Sequence, residues 1–171
     1  MYIASTMQTF MGQAPPFTAS HPRTWCANPR VEIDQEARGS GFSYYQSANW
    51  GIVFRYQDAS NYYYYKVSEG PNFCRSYSLS KVVNGQSTNL LPGGCDSRLG
   101  TARHTLFVTA KGDQITVGVV QNGIDLMLGA VQDASLTAGY SGMRDSINYR
   151  SDGIGAYLDV FYYRFAQRPV Q

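Results

Sequence analysis

The chain has no cluster of lysine or arginine, and its net charge over 171 residues is only +2. That argues against the basic stripe by which proteins hold nucleic acid through its phosphates. No apolar run approaches the roughly 18 residues of a membrane-spanning helix. The opening residues, MYIASTMQTFMGQAPP, lack a basic start followed by an apolar run, so no signal peptide is expected in them. No C-x-x-C occurs, and Cys26, Cys74, Cys95, His21 and His104 stand apart from one another, which leaves no zinc-ligand spacing. A G-x-S-x-G elbow and a phosphate loop are both missing. So is any stretch with a helical period.

What remains points one way. Hydrophobic residues make up 43% and charged residues 15%, a globular balance with enough chain for a real core. Tyrosine, at 14 residues, and glycine, at 17, are abundant, as expected of strands joined by tight turns. Residues 1–30 carry APPF, HPR and NPR, each a breaker, and read as an extended N-terminal arm with one short strand near Trp25. From residue 31 to 171 the pattern is regular. It gives strands at 31–38, 42–46, 50–57, 61–68, 74–83, 86–91, 104–110, 113–121, 124–128, 137–143 and 155–165. The expected fold is all-β, a two-sheet antiparallel β-sandwich. Its inner faces are the alternating set that contains Ile52 and Phe54, then Tyr63, Tyr65 and Val67. Arg55, Tyr62, Tyr64 and Lys66 belong to the other set and should share the opposite face.

Three turns can be read directly. Asn84-Gly85 and Asn122-Gly123 suit two-residue hairpins, because the pair accepts positive φ. Lys111-Gly112 is a weaker signal of the same kind. Counting outward from Asn84-Gly85 sets Leu79 opposite Leu90 and Cys74 opposite Cys95, at a pair whose side chains lie close. A Cys74–Cys95 disulfide is therefore expected, with Cys26 left over, and with it an oxidising compartment. The alternative is two free buried thiols, Pro92 breaking the ladder first.

The stretch NWGIVFRYQDASNYYYYKV, Asn49 to Val67, resembles the strand–turn–strand of concanavalin A-like jelly rolls, above all laminin-G-like and keto-disaccharide-hydrolase-type modules. HTLFVTAKGDQITVGVVQNGIDL, SLTAGYSGM and AYLDVFYYRF resemble the family's later strands, in the same order, so the likeness runs over residues 31–166. It implies a jelly roll that binds an oligosaccharide or polysaccharide outside the cell or at its surface, with other domains of a larger protein as further partners. It implies no catalytic cofactor. Asp159 stands where related jelly rolls place an Asp that helps hold a structural calcium, although calcium wants six to eight oxygens.

VEIDQEAR puts Glu32, Asp34 and Glu36 on one side of a strand. It also resembles the catalytic strand of lichenase- and laminarinase-type glycosidases. That resemblance would make Glu32 the nucleophile and Glu36 the acid/base, with Asp34 between. Retaining hydrolysis wants carboxyl groups about 5–5.5 Å apart, whereas strand positions four apart are separated by about 13 Å. Gln35 replaces an apolar residue of the motif, and no tryptophan-rich cleft segment accompanies it. The leading expectation is a carbohydrate-binding or adhesion module. Its ligand-contacting residues would be Arg55, Tyr62 and Tyr64, with Glu32 and Asp34 at the edge. The rivals are the retaining β-glycosidase and a purely structural domain of a larger surface protein.

Overall fold

A computed structural model describes residues 9–11, 23–26, 34–41, 48–69, 74–99, 104–147 and 162–169. The side chains described are those of 34–40, 49–68, 74–99 and 105–144. The strands are β1 (Thr9–Met11), β2 (Arg23–Cys26), β3 (Gln35–Gly41), β4 (Ala48–Asp58), β5 (Asn61–Glu69), β6 (Arg75–Val83), β7 (Gln86–Leu91), β8 (His104–Lys111), β9 (Gln114–Gln121), β10 (Ile124–Gln132), β11 (Tyr140–Ile147) and β12 (Tyr162–Pro169). They form two antiparallel sheets. Sheet A runs β1-β12-β3-β8-β9-β10 and sheet B runs β2-β11-β4-β5-β6-β7. One 3-10 turn, Ser97–Leu99, buries Leu99. Among the described residues no helix is long and apolar enough to cross a membrane.

The core fills the space between the sheets, as the alternation requires. Ile52, Phe54, Tyr63, Tyr65 and Leu79 from sheet B meet Ala37, Leu106, Val108, Ile115, Val117 and Val119 from sheet A. Phe54 stacks on Tyr63 with ring centroids 5.1 Å apart. The abundance of tyrosine now has a reason. A core-facing tyrosine on sheet B is long enough to reach a polar group on the other side. The Tyr65 hydroxyl donates to Gly118 O (3.2 Å), Tyr77 to Leu128 O (2.7 Å) and Tyr63 to the Asp133 carboxylate (2.6 Å).

The Asn-Gly turns are where the pattern put them, with φ of 51° and 77° at Asn84-Gly85 and 52° and 78° at Asn122-Gly123. The first hairpin departs from a simple count. Its register slips between Leu79 and Ser80, so Leu79 faces Leu91 rather than Leu90. Leu90 and Leu91 both pack against the core, which two consecutive strand residues can do only at a bulge. The slip leaves Ser76 bridged to Cys95. Cys74 and Cys95 are nevertheless disulfide-bonded, their Cα atoms 5.4 Å apart. The bond forms diagonally, not across a directly opposed pair.

Other strand limits shift. β10 extends to Gln132, beyond the expected 128, and β11 runs to Ile147. The closing strand lies at Tyr162–Pro169; residues 155–161 of the expected one lie outside the described residues, as does the whole of 42–46. Within the stretch read as an arm, Arg23–Cys26 pairs with β11 and Thr9–Met11 with β12.

Candidate functional site

The structure separates the described candidate residues, ligand-contacting and catalytic, into three places. The first is the outer face of sheet B. Period-two alternation on β5 turns Tyr62, Tyr64 and Lys66 outward, opposite Val82, Ser80 and Ser78 of β6. Tyr62, Tyr64 and Val53 form a small cluster of their own, with Tyr56 and Val82 packed against it. Arg144 on β11 completes it. Its guanidinium lies over both rings, 5.1 Å from the Tyr62 centroid and 5.4 Å from that of Tyr64, and its Nη1 donates to the Tyr62 hydroxyl. The Tyr64 hydroxyl reaches across β4 to donate to Arg144 O (3.2 Å). The tyrosines are therefore only 8% and 9% exposed. Instead of two bare rings, the face presents a guanidinium plane supported on two rings, an arrangement that fixes the cation's orientation.

Arg144 was not legible as a partner of these tyrosines. It lies about 80 residues away in sequence, one residue past SLTAGYSGM and the expected strand 137–143. The available signal was local. Met143 faces the core, so Arg144 must face out.

The second place is a buried polar knot at one end of the sandwich, and it holds Arg55. Alternation predicts an outward Arg55 beside Tyr62 and Tyr64; the structure overturns this. The β4–β5 register breaks between Phe54 and Asp58, and Arg55 sits there with φ of 46°. The bulge turns its side chain inward, where it is 0% exposed. Nη1 donates to Leu136 O (3.0 Å) and Nη2 to Gly112 O (2.6 Å). Burial pulls its pKa below the usual arginine value, against the pull of Tyr63 and Asp34. Gln35, the residue that broke the glycosidase motif, is the latch. Its Oε1 accepts from Arg55 N (3.2 Å) and Ser141 Oγ (2.8 Å), and its Nε2 donates to Gly139 O (2.5 Å). Gly139 has no side chain because a Cβ there would stand 2.4 Å from Arg55 C. Asp34 belongs to the knot too, accepting from Gly112 N at 2.9 Å. Beside it, Tyr63, Lys81 (2.6 Å) and Ser135 converge on Asp133. Burial pushes the Tyr63 hydroxyl up to about 12, helped by its bond to Asp133. Burial also works to raise Asp133, but Lys81, Tyr63 and Ser135 together hold it below the usual carboxylate range.

The third place is the outer face of sheet A, opposite the tyrosines. Glu36 accepts from Arg38 Nε (3.0 Å), and Arg38 forks onto both Asp125 oxygens (2.8 and 2.6 Å) above the Phe107 ring. The Asp125 bond raises the Arg38 pKa. Glu36 is thus engaged in an ion pair. Glu32, its supposed catalytic partner, lies outside the described residues, as do Asp159 and the side chain of Cys26. Among the described residues, no group of three His, Cys, Asp or Glu side chains could hold a metal ion.

No family model matches the chain, and no curated protein does. Solved structures do. A carbohydrate-binding module of Bacillus subtilis, CBM66, superposes with a TM-score of 0.59 over 99% of this chain and 96% of its own, at 13% identity. The likeness is one of fold, a two-sheet antiparallel β-sandwich. A legume lectin-like domain from Entamoeba histolytica gives a TM-score of 0.59 at 10% identity, over 96% of this chain and 84% of that one. A xylan β-1,4-xylosidase of Bacillus halodurans C-125 gives 0.60 at 11% identity, over 95% of this chain; the match spans only 32% of the xylosidase.

Proposed function

We propose that this jelly-roll module is a carbohydrate-binding module that works outside the cell and takes an oligosaccharide on the outer face of sheet B. One observation carries the reading: the Arg144 guanidinium lies over Tyr62 and Tyr64. A planar donor group, backed by rings and held by a sheet, suits vicinal hydroxyls. Three and four strands along the same face lie Ser78 and Ser80 of β6 and Asn89 of β7, all turned to the same side. Their short side chains donate and accept without losing much rotamer freedom on binding. The fold likeness to the Bacillus subtilis module, over nearly the whole of both chains, supports the same reading. The Cys74–Cys95 disulfide supports an oxidising compartment. Glu36 works against the hydrolase alternative, since Arg38 holds it. A glycan array probed with the wild-type protein and with Arg144→Ala, thermal melts serving as the folding control, tests the reading. Glycans that bind the wild type should lose Arg144→Ala. Equal binding by both would move the site elsewhere.

A further inference from the structure

The outer face of sheet B is unbalanced in charge. Register places Arg144, Gly51, Lys66 and Ser78 in one row across β11, β4, β5 and β6. Arg144 and Lys66 are two strands apart, roughly 10 Å at the backbone, with no side chain between them on β4. The outward positions of β4, β5, β6 and β7 are Asn49, Gly51, Val53, Tyr62, Tyr64, Lys66, then serines, Val82 and Asn89, and none is acidic. The described ion pairs involve neither cation: they join Arg38 to Glu36 and Asp125, Lys81 to Asp133, and Arg98 to Asp96. Of the Arg144 donors, only Nη1 meets a described acceptor, and its Nε is shielded from water without one. On sheet A, by contrast, the outward Arg38 is paired with two carboxylates. Two cations with no acidic partner among the described residues, on a hydroxyl-lined face, suit an anion, and a guanidinium fork fits a carboxylate or sulfate best.

We propose that this face selects glycans that carry an anionic group, a uronate carboxylate or a sulfate, held between Arg144 and Lys66 while the β6 serines take neighbouring hydroxyls. The inference rests on the carbohydrate-binding reading and narrows its substrate class.

Matched glycans test it: an oligogalacturonide against its methyl ester, and a sulfated oligosaccharide against its desulfated form. The charged member of at least one pair should bind about tenfold or more tightly, and the gap should shrink as salt rises. Which pair shows the gap distinguishes carboxylate from sulfate. Lys66→Gln, a surface change that leaves the fold intact, should weaken the charged ligand and leave the neutral one unmoved. Arg144→Lys keeps the charge but loses the fork, and should also weaken the charged ligand. Lys111→Gln, which removes a charge from an exposed turn of sheet A, should change nothing. If a neutral glycan binds through Arg144 as tightly as its charged partner, the anion preference is wrong and the sugar-binding reading stands. If neither member of any pair binds, and the wider array is also blank, both are wrong.

Discussion

Asp34 and Arg55 grip the same residue from two sides. Asp34 leads into sheet A and accepts from Gly112 N, while Arg55 on sheet B donates to Gly112 O. The β8–β9 turn is thereby clamped between the sheets, and the same guanidinium ties down Leu136 in the β10–β11 connection. Both residues were candidates for ligand contact, and the structure does bring them together, but as structural partners of Gly112, Arg55 buried and Asp34 at the exposed rim of the knot.

The knot makes a stability prediction. Arg55→Met keeps much of the apolar stem and removes the charge and its bonds. It leaves the Leu136 and Gly112 carbonyls with lost partners, at a cost of about 2 kcal/mol or more. Asp34→Asn can still accept from Gly112 N and should cost under about 1 kcal/mol. Urea unfolding of the two variants checks this. A neutral Arg55→Met would show that the guanidinium is not structural.

The disulfide makes a second. Non-reducing peptide mapping should recover a fragment linking Cys74 to Cys95. The bond closes a loop with a sequence separation of 21, so replacing both residues with serine should cost about 3 kcal/mol by the chain-entropy account. A fragment linking Cys26 to either one would contradict the pairing.

A third concerns pH. The folded Tyr63 pKa is raised, to about 12. Its contribution is therefore complete below the ordinary tyrosine value near 10 and is lost as pH rises from there towards about 12. The folded Asp133 pKa is depressed, so its contribution is present above the ordinary aspartate value and is lost as pH falls below about 4. Melting temperature against pH should drop at both ends. Tyr63→Phe should flatten the alkaline drop, and Asp133→Asn the acid one. A profile unchanged by either variant would place the titrating groups elsewhere.

The sequence carried the fold because its signals were local. Asn-Gly pairs fix hairpins through their own φ angles, and period-two alternation separates Ile52 and Phe54 from Val53 without reference to the rest of the chain. The site was less legible because bulges break that period. Two extra residues on β4 between Phe54 and Asp58 turn Arg55 inward, and one on β7 opposite Leu79 and Ser80 moves its pairing. The adjacent apolar Leu90 and Leu91 hinted at the second, but nothing in FRYQD distinguishes a bulge from a straight strand. Gln35 looked like a defect in a catalytic motif and is a buried latch, a role defined only by Arg55, Gly139 and Ser141 arriving from distant segments. The Arg144–tyrosine contact was invisible for the same reason: cross-strand neighbours several strands away depend on topology.

The most direct measurement of the central claim is a titration of one array-positive glycan, by calorimetry, against the wild type and two folded variants. Arg144→Ala alters the outer face of sheet B, and Arg38→Ala alters the outer face of sheet A. Shallow sugar sites bind at roughly micromolar to millimolar Kd, about −8 to −4 kcal/mol. The account predicts that Arg144→Ala loses about 1 kcal/mol or more of that binding and that Arg38→Ala binds as the wild type does. Retained affinity in Arg144→Ala, with loss in Arg38→Ala, would contradict it and place the sugar on sheet A.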